Sequence, residues 1–376
     1  MTAKNFVNFH ILMSHSPSCL NRDDMNMQKT ATFGGKSRVR ISSQSLKRAL
    51  RFSDYYQVNL GEASVRTRDL GRLKARMMTA LGKRFDVDLV GKALELLAGK
   101  EGIADGSEAD AVAPWSVDEV AHICEMLKAG DADEKKLRKE IEKDAQPFRR
   151  AMAKAVDIAL SGRMATSGLL SALPVDGALA LAHAITTHAV EPQDVDWFTA
   201  VDDLTQDAGE TGAGHLNTQQ FSAGVFYRYA SLNLRQLQVN LGLLADIRSP
   251  ETAESRARAL GVARHVLHLL ATVVPAAKQQ PFAAYNLCDL ALVSFSNVPV
   301  SLANAFEAPV QADRNGGFLA ASMAALTKYW ATTHVFHGLD EQAALAAMGD
   351  VDYPAGLARV NALADLEGWL EQGGQR

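Results

Sequence analysis

The order of strand-like and helix-like segments most constrains how this chain can fold. Three segments rich in aromatic and β-branched residues read as strands: NFVNFHILMS at 5–14, FSAGVFYRYASLNL at 221–234 and LCDLALVSFSN at 287–297. Between the last two lies TAESRARALGVARHVLHLLATVVP, which has an apolar stripe at helical spacing and a proline at its end. The stripe consists of Leu260, Ala263, Leu267, Leu270 and Val274. These segments predict an α+β fold.

A second amphipathic helix is predicted after the first strand, beginning at a cap formed by Ser42 or Ser43. Its apolar side would carry Leu46, Ala49, Leu50 and Ser53. Its opposite side would carry Gln44, Lys47, Arg48 and Arg51. A strand, a helix, further strands, a helix and a strand are typical of a small antiparallel sheet backed by two helices. This is the ferredoxin-like or RNA-recognition-motif arrangement.

Positive charge is concentrated in residues 15–51, where eight basic side chains face only the acids Asp23 and Asp24. The eight are Arg22, Lys29, Lys36, Arg38, Arg40, Lys47, Arg48 and Arg51. Together with the free N–H groups of a helix N-terminus, they predict a site for a nucleic-acid backbone. The alternative is a solvated basic surface, which on one helix alone is the more common case. The adjoining RVRI strand adds positive charge, and the FGG turn lets the backbone come close to a ligand, so both favour the nucleic-acid site.

Composition excludes several classes of protein. The 376 residues carry a net charge of −4, so a nucleic-acid surface on this chain has to be local, unlike that of a histone-like binder. Three widely spaced cysteines give neither a disulfide framework nor a metal-binding spacing. We found no secretory signal and no apolar run of about 18 residues. These features predict a cytoplasmic protein that does not enter a membrane.

Residues 60–155 have helical periodicity throughout and predict an inserted helical subdomain. Its last helix carries four lysines, Lys135, Lys136, Lys139 and Lys143, interleaved with glutamates. An exposed, ion-paired helix is one interpretation of this pattern, and a second nucleic-acid contact is the other. Residues 301–376 also read as helices.

Residues 156–190 return to strand character, and Arg163 and Met164 are expected at a strand end between two glycines. From Glu191 to Tyr227 the sequence contains no Lys or Arg. We call residues 191–227 the acidic arm. Such an arm fits against the basic residues 22–51 of a second copy, with Phe198 and Met164 beside unstacked bases. Contacts of this kind repeat into an open filament; the alternative is a disordered acidic loop.

The sequence contains one candidate catalytic group, the pair Asp23 and Asp24. GGKS at 34–37 resembles the end of a P-loop, but the position of the leading glycine is Thr30, so we reject this motif. The histidines and cysteines show no metal-ligand spacing. Asp23 and Asp24 could hold a divalent ion beside a phosphate, which is the alternative of a metal-dependent ribonuclease. Two adjacent acids next to Arg22 are more often a turn with an ion pair.

Several collinear runs resemble one known family. They are HILMSHSPSCLNRDDMNMQKTATFGGKSRVRISSQSLKRALR, ALSGRMATSG, HAITTHAV, DWFTAVDDL and FSAGVFYRYA. They are similar to the CasC backbone-subunit family of the type I-E CRISPR Cascade complex. The resemblance implies an RNA-recognition-motif palm (1–57, 156–190 and 224–310), helical fingers (58–155), a thumb hairpin (191–223) and a C-terminal helical extension on the palm (311–376).

The resemblance also implies a function and its residues. The family is a non-catalytic scaffold that assembles head to tail along a CRISPR RNA and kinks it at intervals. Guide contacts carried over by motif are Arg22, Lys29, Ser42, Gln44, Lys47, Arg48 and Arg51. Residues expected to shape the kink are Arg163, Met164, Phe198 and Thr199. The implied contacts with target DNA are Lys135, Lys136, Lys139 and Lys143. The other implied partners are further copies and the large, small, tail-binding and handle-binding Cascade subunits, without a cofactor.

Overall fold

The structure, a computed structural model, describes residues 3–129, 133–164, 168–198 and 216–375. The strands in these ranges are β1 (Phe6–Ser18), β2 (Thr30–Phe33), β3 (Lys36–Ile41), β4 (Val65–Asp69), β5 (Glu108–Trp115), β6 (Leu179–Leu181), β7 (Ala184–Thr186), β8 (Gln193–Phe198), β9 (Leu216–Asn233), β10 (Leu290–Ser296), β11 (Gln342–Ala347) and β12 (Leu357–Arg359). The helices are α1 (Ser43–Arg51), α2 (Asp54–Leu60), α3 (Leu70–Leu81), α4 (Val87–Ala98), α5 (Val117–Lys128), α6 (Glu134–Lys143), α7 (Gln146–Met152), α8 (Val156–Ser161), α9 (Leu234–Asn240), α10 (Ala253–Thr272), α11 (Gln279–Phe282), α12 (Leu319–His337) and α13 (Leu363–Glu371).

The main sheet has the strand order β12-β11-β10-β1-β9-β7-β3-β2, and β6 and β8 also pair with β9. The pairs β10–β1, β1–β9 and β9–β7 are all antiparallel. Helix α1 lies between β1 and β7 in the chain, and α10 lies between β9 and β10. This order and these crossovers are those of a ferredoxin-like unit. The predicted α+β class is therefore confirmed.

Helix α10 covers one face of the sheet with the apolar stripe that the sequence predicts. Leu260, Ala263, Leu267 and Leu270 are all buried, in one hydrophobic cluster with Phe9 of β1. The helix begins at a Thr252 cap, whose hydroxyl accepts a hydrogen bond from the Ser255 amide, and it ends before Pro275. Sequence periodicity is reliable here because the helix is long and only one side is apolar.

The other face of the sheet is also covered. The alternation in β1 places Asn8 and His10 on the side away from α10. Both side chains are buried, and His10 Nδ1 lies 2.8 Å from the Tyr227 hydroxyl, so this polar side of the strand is closed to a ligand. Burial lowers the pKa of His10 to about 3, with the charge of His334 as a second cause. Leu326 of α12 packs in the cluster that contains Tyr227.

The C-terminal region contains strands as well as helices, so its prediction as helical is only partly right. Strand β11 pairs antiparallel with β10 from Leu290↔Ala347 to Phe295↔Gln342, and β12 pairs parallel with β11. The sequence of β11, QAALAA, favours a helix by propensity, but burial against β10 overrides this preference.

A second hydrophobic core lies in residues 65–173, which we call the helical unit. It joins α3, α4 and α5 around Met77, Leu94 and Trp115 and also takes in Leu169, Leu170 and Leu173. Within this predicted helical insertion, β4 and β5 form a separate two-stranded sheet. Conversely, residues 156–161 were predicted to be strand-like but form helix α8.

The glycine turn of FGG joins β2 to β3 through Gly34 and Gly35, whose φ angles are 58° and 70°. The sequence predicted a close approach of this backbone to a ligand. Instead, Gly34 packs against the backbone of Glu307 in the same chain. A Cβ at this position would collide with the Glu307 carbonyl oxygen. The glycine is required by the packing of the turn.

Candidate nucleic-acid interface

Helix α1 presents two different faces, as the sequence predicts. Leu46 and Leu50 are buried in the main core, and the side chains of Gln44 and Arg48 are exposed. The helix begins at Ser42, whose hydroxyl accepts a hydrogen bond of 3.2 Å from the Ser45 amide. The hydroxyl oxygen accepts this bond as a cap, so its O–H is the part that can donate to an RNA phosphate.

A cationic patch adjoins the first turn of α1. The Ser43 amide donates a 2.9 Å hydrogen bond to Nδ1 of His183. Burial lowers the pKa of His183, and the charges of Arg40 and Lys29 lower it further. The neutral imidazole can therefore accept the hydrogen bond from the Ser43 amide. Lys29, a predicted guide contact, lies beside Arg40, whose amide donates to the Lys29 carbonyl at 2.9 Å.

The loop before β2 is organised by its own polar side chains. Arg22 donates a 2.7 Å hydrogen bond to Asn26 Oδ1. Asp23 Oδ1 accepts hydrogen bonds of 2.9 Å from the amides of Met25 and Met27. Arg22, Asp23 and Asp24 are all exposed, and the Asp23 carboxylate acts here as a turn cap.

A cleft of about 740 Å³ opens beside α1, towards the start of the helical unit. Ten residues line it, four of them arginines: Arg48, Arg51, Phe52, Gln57, Glu62, Ala63, Ser64, Val65, Arg66 and Arg76. Sequence periodicity did not reveal the contribution of Arg66, because the segment of β4 was read as helical, or that of Arg76, which does lie on a helix, α3. The alternation of VRTRD, which matches strand β4, was the available signal.

Arg51 belongs to the floor of this cleft, with only 10% of its side chain exposed. Its Nε atom lies 4.0 Å from Oδ2 of the buried Asp157, and Arg66 Nη2 donates to the same oxygen at 3.2 Å. Ser64 also binds Asp157, through its amide at 2.8 Å and its hydroxyl at 2.6 Å. The expected position of Arg51 on an open helix face is thus wrong, since Asp157 draws it inward.

Lys47 lies at the edge of the same region and is half-buried. Burial lowers its pKa, and the charge of Arg66 is the second cause. Lys47, Arg48 and Gln44 therefore form a continuous polar face of α1 that leads into the cleft.

Arg163 does not fit its predicted role as a direct RNA contact. Its side chain has no exposed surface and forms a bidentate ion pair with Glu119 of α5, at 2.6 and 2.8 Å. The neighbouring Met164 is 87% exposed, as a contact residue would be. The ion pair between Arg163 and Glu119 therefore anchors the segment that carries Met164 to the helical unit.

The acidic arm begins as a hairpin, because β8 pairs antiparallel with β9 from Gln193↔Phe221 to Phe198↔Leu216. Phe198 is the last residue of β8, and Thr199 lies outside the described residues. At the base of the hairpin, Gln220 donates to Asp194 at 3.0 Å and accepts from the Gln28 amide at 3.2 Å. These bonds fix the base of the arm next to the loop at residues 19–29, before β2, which we call the basic loop.

The predicted DNA-contacting lysines lie on α6. Leu137 and Ile141 bury one side of this helix in the helical unit, and Arg138 donates to the Gly168 carbonyl at 2.8 Å. The side chains on its outer side are exposed, and these include Lys135, Lys136, Lys139 and Lys143.

Among the residues that the structure describes, no group of three or more His, Cys, Asp or Glu side chains is arranged to hold a metal ion. None of their helices is long and apolar enough to cross a membrane.

Comparison with known proteins gives the family. Residues 7–369 match the family model described as CT1975-like protein. The chain belongs to the CT1975-like protein family. A search of the curated proteins finds no match for this member of the family.

Two solved structures similar to this CT1975-like chain carry related descriptions. One is described as a CRISPR RNA-guided surveillance complex, pre-nicking; it is 28% identical, covers 98% of this chain and 100% of its own, and has a TM-score of 0.76. The other, described as a CRISPR RNA-guided surveillance complex, is 24% identical with the same coverage and a TM-score of 0.59, and it shows the fold alone. The family and the first match support the resemblance to a Cas backbone subunit, whereas type I-E stays a prediction.

Proposed function

We propose that this chain is a subunit that binds CRISPR RNA in a Cascade-type surveillance complex. The observation that carries the proposal is the polar face of α1, formed by Gln44, Lys47 and Arg48, in a chain of net negative charge. Lys29 adds a charge near His183, which binds the first turn of the helix. Such a face binds sugar-phosphate and leaves the base edges free, so sequence is read by pairing. The 28% identical match over 98% of the chain supports the same role.

The proposed assembly is head to tail along the guide, with the acidic arm of one copy against the basic loop and α1 of the next. Opposite charge favours this contact, and a repeated contact between unlike surfaces produces a filament. In this arrangement Met164, Phe198 and Thr199 lie at the kink of the guide. The lysines of α6 contact target DNA, and the ends of the filament bind the other Cascade subunits.

We further propose that the chain does not cleave RNA. Asp23 supports this view, because one of its carboxylate oxygens already accepts two backbone hydrogen bonds. Incubation of the assembled complex with guide-complementary RNA and Mg²⁺ tests the alternative. Cleavage at regular intervals that disappears in Asp23→Ala or Asp24→Ala would establish a ribonuclease instead.

The guide-binding role is tested with Lys47→Ala, using Lys92→Ala on the exposed side of α4 as the matched control. Affinity for fluorescein-labelled single-stranded RNA is measured by anisotropy at several salt concentrations. Lys47→Ala should weaken binding and lower the slope of log K against log salt by about 0.7, the value for one phosphate contact on a single strand. Equal slopes for the two variants would contradict a phosphate contact on α1.

A further inference from the structure

The cleft beside α1 has more positive charge than its own carboxylates neutralise. Four guanidinium groups line or floor it, and two carboxylates lie among them, those of Asp157 and Glu62. An excess of two positive charges is therefore concentrated in about 740 Å³, a size within the roughly 300–1,000 Å³ of small-molecule sites.

The arginines of the cleft also repel one another. Burial lowers the pKa of Arg51, Arg66 lowers it further, and Asp157 acts in the opposite direction. The buried Nε of Arg51 has no hydrogen-bond partner, since the nearest Asp157 oxygen is 4.0 Å away. A bound anion would relieve the repulsion among the guanidinium groups.

An aromatic ring completes the cleft. Phe52 is 55% exposed, although it follows directly after the helix whose apolar side is buried. The guanidinium carbons of Arg48 and Arg51 each lie 4.9 Å from the centre of its ring. Guanidinium groups and an exposed aromatic ring in one groove are the combination that holds the backbone and the bases of single-stranded nucleic acid.

We propose that this cleft holds one nucleotide unit of a bound single strand, with its phosphate among Arg51, Arg66 and Arg76 and its base against Phe52. The inference rests on the proposed function and deepens it, because it places one nucleotide of the guide between α1 and β4. It also adds three side chains, of Phe52, Arg66 and Arg76, to the RNA-binding surface.

The phosphate contact is tested with Arg76→Ala and its matched control Arg84→Ala. Both arginines are about half exposed and each pairs with one exposed glutamate, at 2.6 Å for Arg76 with Glu62 and at 2.8 Å for Arg84 with Glu125. Only Arg76 lines the cleft. With labelled single-stranded RNA and the full chain, Arg76→Ala should lower the salt slope by about 0.7, and Arg84→Ala should leave it unchanged.

The base contact is tested with Phe52→Ala and the control Phe336→Ala, an 81% exposed phenylalanine near the end of α12. Phe52→Ala should weaken binding by about 5-fold to about 150-fold at an unchanged salt slope, as expected for the loss of one stacked base. The effect should disappear with an abasic oligonucleotide, on which Arg76→Ala should still lower the slope.

Two results would overturn the nucleotide cleft: equal slopes for Arg76→Ala and Arg84→Ala, or equal affinities for Phe52→Ala and Phe336→Ala. If Lys47→Ala still loses affinity in either case, guide binding stands and only the cleft is refuted. If the unaltered chain does not bind RNA, the proposed function itself fails. Circular dichroism of each variant establishes that it is folded.

Discussion

Replacement of Arg163 by alanine should destabilise the protein more than any loss of a surface ion pair. The guanidinium and the Glu119 carboxylate are 0% and 1% exposed, and two hydrogen bonds of 2.6 and 2.8 Å join them. Arg163→Ala leaves Glu119 as a buried charge without its partner, which costs about 3–5 kcal/mol. The exposed pair of Arg84 with Glu125 should contribute only about 0.2–1 kcal/mol.

The assay is urea unfolding followed by far-UV circular dichroism, with the double variant Arg163→Met/Glu119→Leu as the control. The double variant removes both charges, so it should recover most of the stability that Arg163→Ala loses. RNA affinity is measured on the same samples. A loss of unfolding free energy below about 1 kcal/mol in Arg163→Ala, together with a lower slope of log K for RNA against log salt, would contradict the buried ion pair. It would support Arg163 as a direct contact with RNA.

Two further predictions concern pH and a turn. Burial lowers the pKa of His334, but the Glu341 carboxylate 3.0 Å away and a hydrogen bond to the Trp330 carbonyl outweigh this and raise it above the usual value. The protonated His334 therefore contributes its full stabilisation below about pH 6.5, and this contribution is lost as the pH rises through the pKa in the folded protein. The thermal unfolding temperature should fall with rising pH over this range, and Glu341→Gln should abolish that fall. Gly34→Ala should cost at least about 2 kcal/mol in urea unfolding, because it adds a collision with Glu307 to the strain of a positive φ. Gly35→Ala, with nothing within 4 Å, should cost about 1 kcal/mol; equal losses would argue against the collision.

Local periodicity predicted the parts of the fold in which the apolar spacing within one helix determines which of its faces is buried. The faces of α1 and the stripe of α10 are of this kind, since Leu46 and Leu267 are buried where the pattern places them. The order of strands and helices then determined the α+β class. These features depend on residues three or four positions apart.

The parts that the sequence did not reveal depend on distant segments. Arg51 turns inward because Asp157, from helix α8, lies beneath it. Arg163 is buried because Glu119 of α5 meets it. In the same way, β11 is a strand because β10 offers a free edge, although its alanines favour a helix. A single sequence does not show which distant side chains meet.

Helix α12 closes over a broad face of the sheet and encloses His10 and Tyr227. RNA-recognition modules that read bases do so on open aromatic strands, and here the protein's own C-terminal residues occupy that surface. In the proposed function, a nucleic acid instead follows the polar face of α1 and strand β4 of the separate two-stranded sheet. Under the proposed function, a strand bound there by its phosphates keeps its pairing edges available, so one protein would suit guides of any sequence.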